Sequence, residues 1–171
     1  MSLRVAVVGL GWVSQNRHLP WLRRTAGAEL AGVIDPSEPK ARLVGSRYGV
    51  QHSSAAAPED VPWLDRVDAV TIGTPPATHH RLALAYLKAG KHVLVEKPMA
   101  MTPSEADEMQ KAAARRRRVL AVVHNFQFSR SVGKLQRLLR AGRLGRVRGL
   151  WAIQLSNPRR RLPLEHHRRA I

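Results

Sequence analysis

The chain has 171 residues, no cysteine and an apolar share of 44%. That is enough for one complete domain and part of another, and it excludes disulfides and thiolate metal sites. The formal net charge of +17 is lopsided: residues 1–110 carry 12 Lys/Arg against 11 Asp/Glu, whereas residues 111–171 carry 17 Lys/Arg against the single acid Glu165.

The first apolar stretch, Arg4-Val5-Ala6-Val7-Val8, is β-branched and stops at Gly9, so it predicts a buried parallel strand. It is too short to span a membrane and lacks signal-peptide flanks, so a cytoplasmic protein is expected. A helix is expected over 14–25, with Leu19 and Leu22 on one face and Gly27 as its stop. A second strand, 29–34, ends at Asp35, and a short helix follows over 39–47, closed by Tyr48-Gly49. A strand over 68–73 is halted by Thr74-Pro75-Pro76. The helix over 78–88 has Thr78 as a candidate cap and Gly90 as the residue just past its end. The strand His92–Val95 runs into Glu96-Lys97-Pro98. Thr102-Pro103-Ser104-Glu105 is a capping signal for a helix reaching Arg116, and a strand follows over 119–123. Beyond residue 124 a basic amphipathic helix is expected over 132–139 and a strand over 147–155. Residues 157–171 show no usable period.

Strands alternating with helices at this spacing predict an α/β fold, a doubly wound parallel sheet with right-handed crossovers. Ligands of such sheets sit beyond the carboxyl ends of the strands. Gly9, Asp35, Thr74, Lys97 and Asn125 all fall at such ends.

Gly9-Leu10-Gly11-Trp12-Val13-Ser14 lies between a strand and a helix. Gly9 suits a tight turn, and Gly11 lets the backbone approach a pyrophosphate. The helix start, with Trp12 and Val13, offers free N–H groups and a partial positive charge. Ser14 replaces the third glycine and is small enough to keep the helix close to the sheet. Asp35, 24 residues after Gly11, can accept bonds from ribose hydroxyls and repel a 2′-phosphate, which favours NAD. Ser37, Lys40 and Arg42 keep NADP open, and a plain turn aspartate before Pro36 is the bland alternative. Lys97 is suited to polarising or protonating a carbonyl oxygen, and burial would make its ammonium a readier donor. Taken alone, it reads rather as a surface lysine paired with Glu96. His79 and His80 are adjacent and point about 100° apart on a helix, so they read as a cap and a cleft contact rather than as metal ligands. No metal site is expected.

Together and in this order, these segments resemble the Gfo/Idh/MocA oxidoreductases over about residues 4–155. The most specific parts are Thr74-Pro75-Pro76-Ala77-Thr78-His79 and Ala89-Gly90-Lys91-His92-Val93-Leu94-Val95-Glu96-Lys97-Pro98. The resemblance implies a Rossmann domain binding NAD or NADP, and hydride transfer at a hydroxyl-bearing carbon of a sugar, cyclitol or related small molecule. It places Lys97 at the nicotinamide and reacting hydroxyl as the catalytic residue. Gly9, Gly11 and Asp35 match the cofactor loop and ribose positions, Thr74, Pro75 and His79 match residues around the cofactor, and Glu96 matches the glutamate beside the nicotinamide ribose. Asn125 and Phe128 fit the family's segment after the last Rossmann strand, whereas Gln127 and Arg130 depart from it.

The expected organisation is a dinucleotide-binding domain over 1–124 and the start of an incomplete α+β substrate domain over 125–171, cut short before the family's Asp and His. His166 and His167 lack the context to take that role. On this reading Leu150, Trp151, Ile153 and Leu155 belong to an exposed sheet edge prone to association or homo-oligomer formation. Two other readings stand beside the enzyme. One is a cofactor-binding fragment without turnover. The other is a nucleic-acid binder acting through residues 111–171, where Arg115–Arg118, Arg159–Arg161 and Arg168-Arg169 cluster; it ranks below a truncated or frame-shifted coding sequence because no recognition motif accompanies the arginines.

Overall fold

The computed structural model describes residues 2–153, in two units that divide between His124 and Asn125. The first unit is built on a six-stranded parallel sheet of order β3-β2-β1-β4-β5-β6. The strands are β1 (Leu3–Val8), β2 (Ala28–Ile34), β3 (His52–Ser54), β4 (Ala69–Ile72), β5 (His92–Val95) and β6 (Leu120–Val122). This is the doubly wound order, with its topological switch between β1 and β4. Every residue of β4 is buried, as expected of a central parallel strand covered on both faces.

Alternation along β1 divides the core. Ala6 and Val8 join Val70, Ile72, Val93 and Val95 beneath α3 (His79–Lys88) and α4 (Pro103–Arg116), where Leu82, Tyr86 and Met109 fill the layer. Val7 and Val33 face the other way. They meet Leu10, Leu19, Ala41 and Val44 from the loop after β1, α1 (Leu19–Leu22) and α2 (Glu38–Tyr48). The β1–β2 register slips between Val5 and Ala6, an extra residue in β2 that brings Ile34 opposite Val8.

Two elements differ from expectation in this unit. The helix expected over 14–25 is a π-turn, Ser14–His18, followed by the single α-turn of α1, with Leu19 N–H bonded to Ser14 O. Pro20 supplies no N–H to the carbonyl of Asn16, so the regular ladder cannot run through this point. Strand β3 was not legible at all. His52-Ser53-Ser54 is short and polar, and its strand character comes from pairing with Gly32–Ile34.

The capping box is present as expected: Thr102 Oγ1 accepts from Glu105 N–H at 3.2 Å, and Glu105 Oε2 accepts from Thr102 N–H at 3.3 Å. The far end of α4 closes on Arg117 with φ of 52°, a left-handed position held by a side-chain-bearing residue. Arg117→Gly is therefore expected to stabilise the unit by about 1 kcal/mol, seen as a rise in Tm.

Arg4 and Asp68 pin the amino ends of β1 and β4 together through Arg4 N, Nε and Nη2, at 2.9, 3.0 and 2.8 Å from the carboxylate. The guanidinium and amide bonds of Arg4 hold the Asp68 carboxyl at about 2, below its ordinary 3.8. A carboxyl depressed in the folded state contributes stability above its unfolded value and loses it as pH falls through the folded one. Tm is therefore expected to fall between about pH 4 and pH 2, modestly because the pair is half-exposed. Asp68→Asn should flatten that part of the curve.

In the second unit a 3₁₀ turn, Asn125–Phe128, precedes α5 (Arg130–Arg140), which Ser129 caps by accepting from Val132 N–H. Val132, Leu135 and Leu138 are half-buried, while Arg130, Lys134, Arg137 and Arg140 are exposed, so the basic residues form a solvated face. The strand expected over 147–155 is not present in its described part, residues 147–153, where Leu150, Trp151 and Ile153 are 71%, 94% and 87% exposed. An apolar run becomes a strand only with a neighbour to bond its backbone, and no described strand pairs with this one. Leu155, Arg159–Arg161, His166, His167 and Arg168-Arg169 lie outside the described residues. Among the described residues no helix is long and apolar enough to cross a membrane.

Candidate functional site

Register builds the site. Val8 pairs with both Ile34 and Ile72, and Ile72 pairs with Val95. The residues that follow, Asp35, Gly9, Gly73 and Glu96, therefore stand in one row at the carboxyl edge of β2, β1, β4 and β5. With strands ~4.8 Å apart, the row spans roughly 14 Å.

Gly9 takes φ of +80°, closed to most side chains. A Cβ there would overlap Thr74 Cγ2 and lie 2.9 Å from the Thr74 nitrogen. Gly11 is different: a Cβ would meet only the Gly73 carbonyl, at 4.0 Å, so the space above the loop is open. The N–H groups of Gly11, Trp12 and Val13 stand in the first turn, where no intrahelical carbonyl reaches them. Arg17 lies over the Trp12 ring at 5.6 Å, bringing a cation to the same end. Ser14 is fully buried against Gly73, where a Cβ would collide with its Oγ, and that hydroxyl has no partner among the described residues.

Asp35 is 4% exposed. Its carboxylate accepts from Leu10 N–H at 2.8 Å, from Ser37 N–H at 3.0 Å and from Lys40 Nζ at 3.3 Å. The turn-aspartate role is thus real, and the same oxygens brace the glycine loop. A carboxylate has about four acceptor positions, so one remains for a hydroxyl donor.

Around the proline loop, Thr78 sits at the N-cap of α3 without capping it. Its hydroxyl instead donates to Pro75 O and accepts from the Thr74 hydroxyl, both at 2.7 Å, which tightens the loop. His79 is fully buried, with Nδ1 2.8 Å from Pro98 O and Nε2 2.9 Å from Thr74 O. Both neighbours are carbonyl acceptors and the neutral ring carries one N–H, so it donates to one of them and packs against the other. His80 pairs with Glu108 on α4, away from the row. Pro75 is exposed and Thr74 half-buried at the rim.

Lys97 follows β5 and precedes a cis Lys97–Pro98 bond. The ion pair with the Glu96 carboxylate, the alternative to a catalytic role, is absent. Glu96 Oε1 accepts from His18 Nε2–H at 2.9 Å, and Oε2 accepts from the Lys97 backbone N–H at 3.2 Å. Lys97 is exposed, so the burial expected of it is not supplied by this unit. His18 carries no sequence signal. A lone histidine in a helical stretch has no visible partner until the fold brings the residue after β5 across the sheet edge to it.

A cavity of about 480 Å³ adjoins the Asp35 end of this row, beside α2 and the segment after β3, lined by Glu38, Ala41, Arg42, Ser53, Ser54 and Ala56. A dinucleotide fits that row on three observations: the open space over Gly11, the free first-turn amides, and the acceptor position left on Asp35. Asn125 opens the 3₁₀ turn of the second unit.

The model of an oxidoreductase family with an NAD-binding Rossmann fold matches residues 3–124. An uncharacterised oxidoreductase, YdgJ of Escherichia coli, is 36% identical over 146 residues, covering 85% of this chain and 41% of that protein. Inositol 2-dehydrogenase 1 of Saccharopolyspora erythraea is 33% identical over 146 residues, covering 85% and 43%. The crystal structure of a 3-ketoreductase from Actinomadura kijaniata, in complex with NADP and TDP-benzene, superposes with a TM-score of 0.74 at 26% identity, covering 83% of this chain and 43% of that one. The chain thus spans about two fifths of the length of these relatives. Sheet order, row geometry and family match agree: the chain belongs to the Gfo/Idh/MocA oxidoreductase family and carries its NAD(P)-binding Rossmann domain.

Proposed function

We propose that the chain binds NAD in preference to NADP and takes part in hydride transfer to or from a hydroxyl-bearing carbon of a sugar, cyclitol or related small molecule. The observation that carries this reading is the bond from His18 to Glu96. It joins the helical segment after the glycine loop to the residue before Lys97, so phosphate-binding amides and a proton-exchanging amine share one edge. Bound nicotinamide supplies the hydride donor or acceptor. Lys97 Nζ gives a proton to the carbonyl oxygen in the reducing direction and takes it from the hydroxyl in the other. Gly9, Gly11, Trp12 and Val13 seat the pyrophosphate, Asp35 takes the adenosine ribose, Glu96 takes the nicotinamide ribose, and Thr74 and Pro75 border the cofactor. The buried carboxylate of Asp35 disfavours a 2′-phosphate. The inositol dehydrogenase and the 3-ketoreductase among the relatives support the substrate class.

The test is a fluorescence titration of the full chain with NADH, followed by turnover across a panel of sugars and cyclitols. Lys97→Ala is expected to keep cofactor affinity within about twofold and to lose about a hundredfold or more in turnover. Absence of binding at millimolar NAD and NADP overturns the reading. A second reading, cofactor binding without turnover, is favoured by the two-fifths span, because the relatives devote more than half their length to other segments. Clear NADH binding with silence across the whole panel selects it.

A further inference from the structure

We propose that His18 and His79 are positioning residues that clamp the Lys97 turn from both sides and fix it to the two loops that meet the cofactor. The proposal rests on the reading of Lys97 given above. Among the described residues nothing holds the Lys97 ammonium, and the residue is exposed. What is held is the backbone before and after it. On one side, His18 Nε2–H fixes the Glu96 carboxylate at 2.9 Å, and that carboxylate accepts the Lys97 N–H at 3.2 Å. On the other, His79 reaches the carbonyl of Pro98 at 2.8 Å and that of Thr74 at 2.9 Å.

The origins of the two histidines give the clamp its meaning. His18 closes the π-turn that begins at Ser14, directly after the glycine loop, and such widened turns are frequent at functional sites. His79 is the first residue of α3, one 3₁₀ turn (Pro76–Thr78) after Thr74 and Pro75. Each therefore ties the Lys97 turn to a different cofactor-facing loop. Both are shielded: the His18 and Glu96 side chains are 13% and 14% exposed and His79 is fully buried, so water competes poorly for these bonds. A long flexible amine on a loose turn would place its nitrogen broadly; a turn pinned at both neighbours narrows that spread before any ligand arrives.

The test uses the full chain and two readouts. In the first, amide hydrogen exchange at Lys97 is followed with the Val70 and Val93 amides as a control for global opening. His18→Ala is expected to speed Lys97 exchange by about tenfold while the two core amides hold, and His18→Gln, which restores a neutral donor, should return it toward the original rate. His79→Gln serves as the partner variant, with the same core amides reporting whether the buried substitution has loosened the fold. Unchanged Lys97 exchange in His18→Ala overturns the clamp, whatever NADH does.

In the second readout, acetylation of Lys97 by an N-hydroxysuccinimide ester is followed by mass spectrometry. Saturating NADH should protect Lys97 several-fold in the unaltered chain and much less in His18→Ala. NADH that binds without protecting Lys97 in the unaltered chain defeats the functional reading of Lys97 and leaves the exchange result to judge the clamp. Weakened NADH binding in His18→Ala with Lys97 exchange unchanged assigns His18 to direct cofactor contact and overturns the proposal.

Discussion

Replacing Gly9 by alanine is expected to cost the first unit ~2–3 kcal/mol and to remove measurable NADH binding. Two penalties act together. The residue sits at φ of +80°, which alanine enters only against its own Cβ. That Cβ also points into Thr74, whose backbone nitrogen and Cα lie at 2.9 and 3.0 Å from it. A flexible side chain could swing aside, but the Thr74 backbone cannot, because Gly73 N–H is bonded to Val8 O and the Thr74 carbonyl lies against the buried His79 ring. The loop must move, and the first-turn amides move with it. Chemical denaturation and an NADH titration read the two effects separately. Gly11→Ala supplies the contrast: its Cβ finds open space in the protein, so stability should change little while binding still falls, because the space it enters is the one proposed for the pyrophosphate. Equal stability of Gly9→Ala and the unaltered chain would remove the steric argument.

Asp35→Ala is expected to lose about 3 kcal/mol of stability and to shift the preference between NADH and NADPH by roughly tenfold toward NADPH. The stability loss comes from the donors left behind. Leu10 is 1% exposed and its N–H points at Asp35 Oδ2, so without the carboxylate a buried donor is stranded, and the Ser37 N–H loses its turn bond. The shift in preference comes from charge. The variant removes the anion that repels a 2′-phosphate and frees the Lys40 ammonium, which now lies 3.2 Å from Asp35 Oδ1. Asp35→Asn keeps an acceptor for Leu10 and should recover much of the stability but little of the NAD preference. Paired titrations with the two reduced cofactors check this, and an unchanged ratio in both variants would detach Asp35 from the ribose.

Most of this unit was legible in the sequence because its signals are local. Buried parallel strands such as Val5–Val8 and Ala69–Ile72 read as continuous apolar runs, and glycines, prolines and the Thr102–Glu105 box mark where helices begin and end. The row of Gly9, Asp35, Thr74 and Glu96 followed from the rule that ligands gather at carboxyl ends. What escaped was non-local. His52–Ser54 is a strand only because β2 lends it a partner, and His18 matters only because the sheet edge brings Glu96 to it. The alternative of a Glu96–Lys97 side-chain pair fails for the complementary reason: neighbours in sequence after a strand point apart, and the glutamate meets a histidine from another segment. Residues 147–153 show the converse, an apolar run whose local signal is sound but which has no described strand beside it.

The sheet also acts as a partition. The phosphate end of the groove is braced by the thin layer of Val7, Leu10, Leu19, Val33, Ala41 and Val44, whereas the lysine end stands on the thicker layer containing Val93, Val95, Tyr86 and Met109. A change in one layer cannot be absorbed by repacking in the other, since β1 and β4 stand between them as a close-packed wall. A packing fault beneath α2 is therefore confined to that face of the sheet, and the bond from His18 to Glu96 is a route by which its displacement would still reach the Lys97 turn.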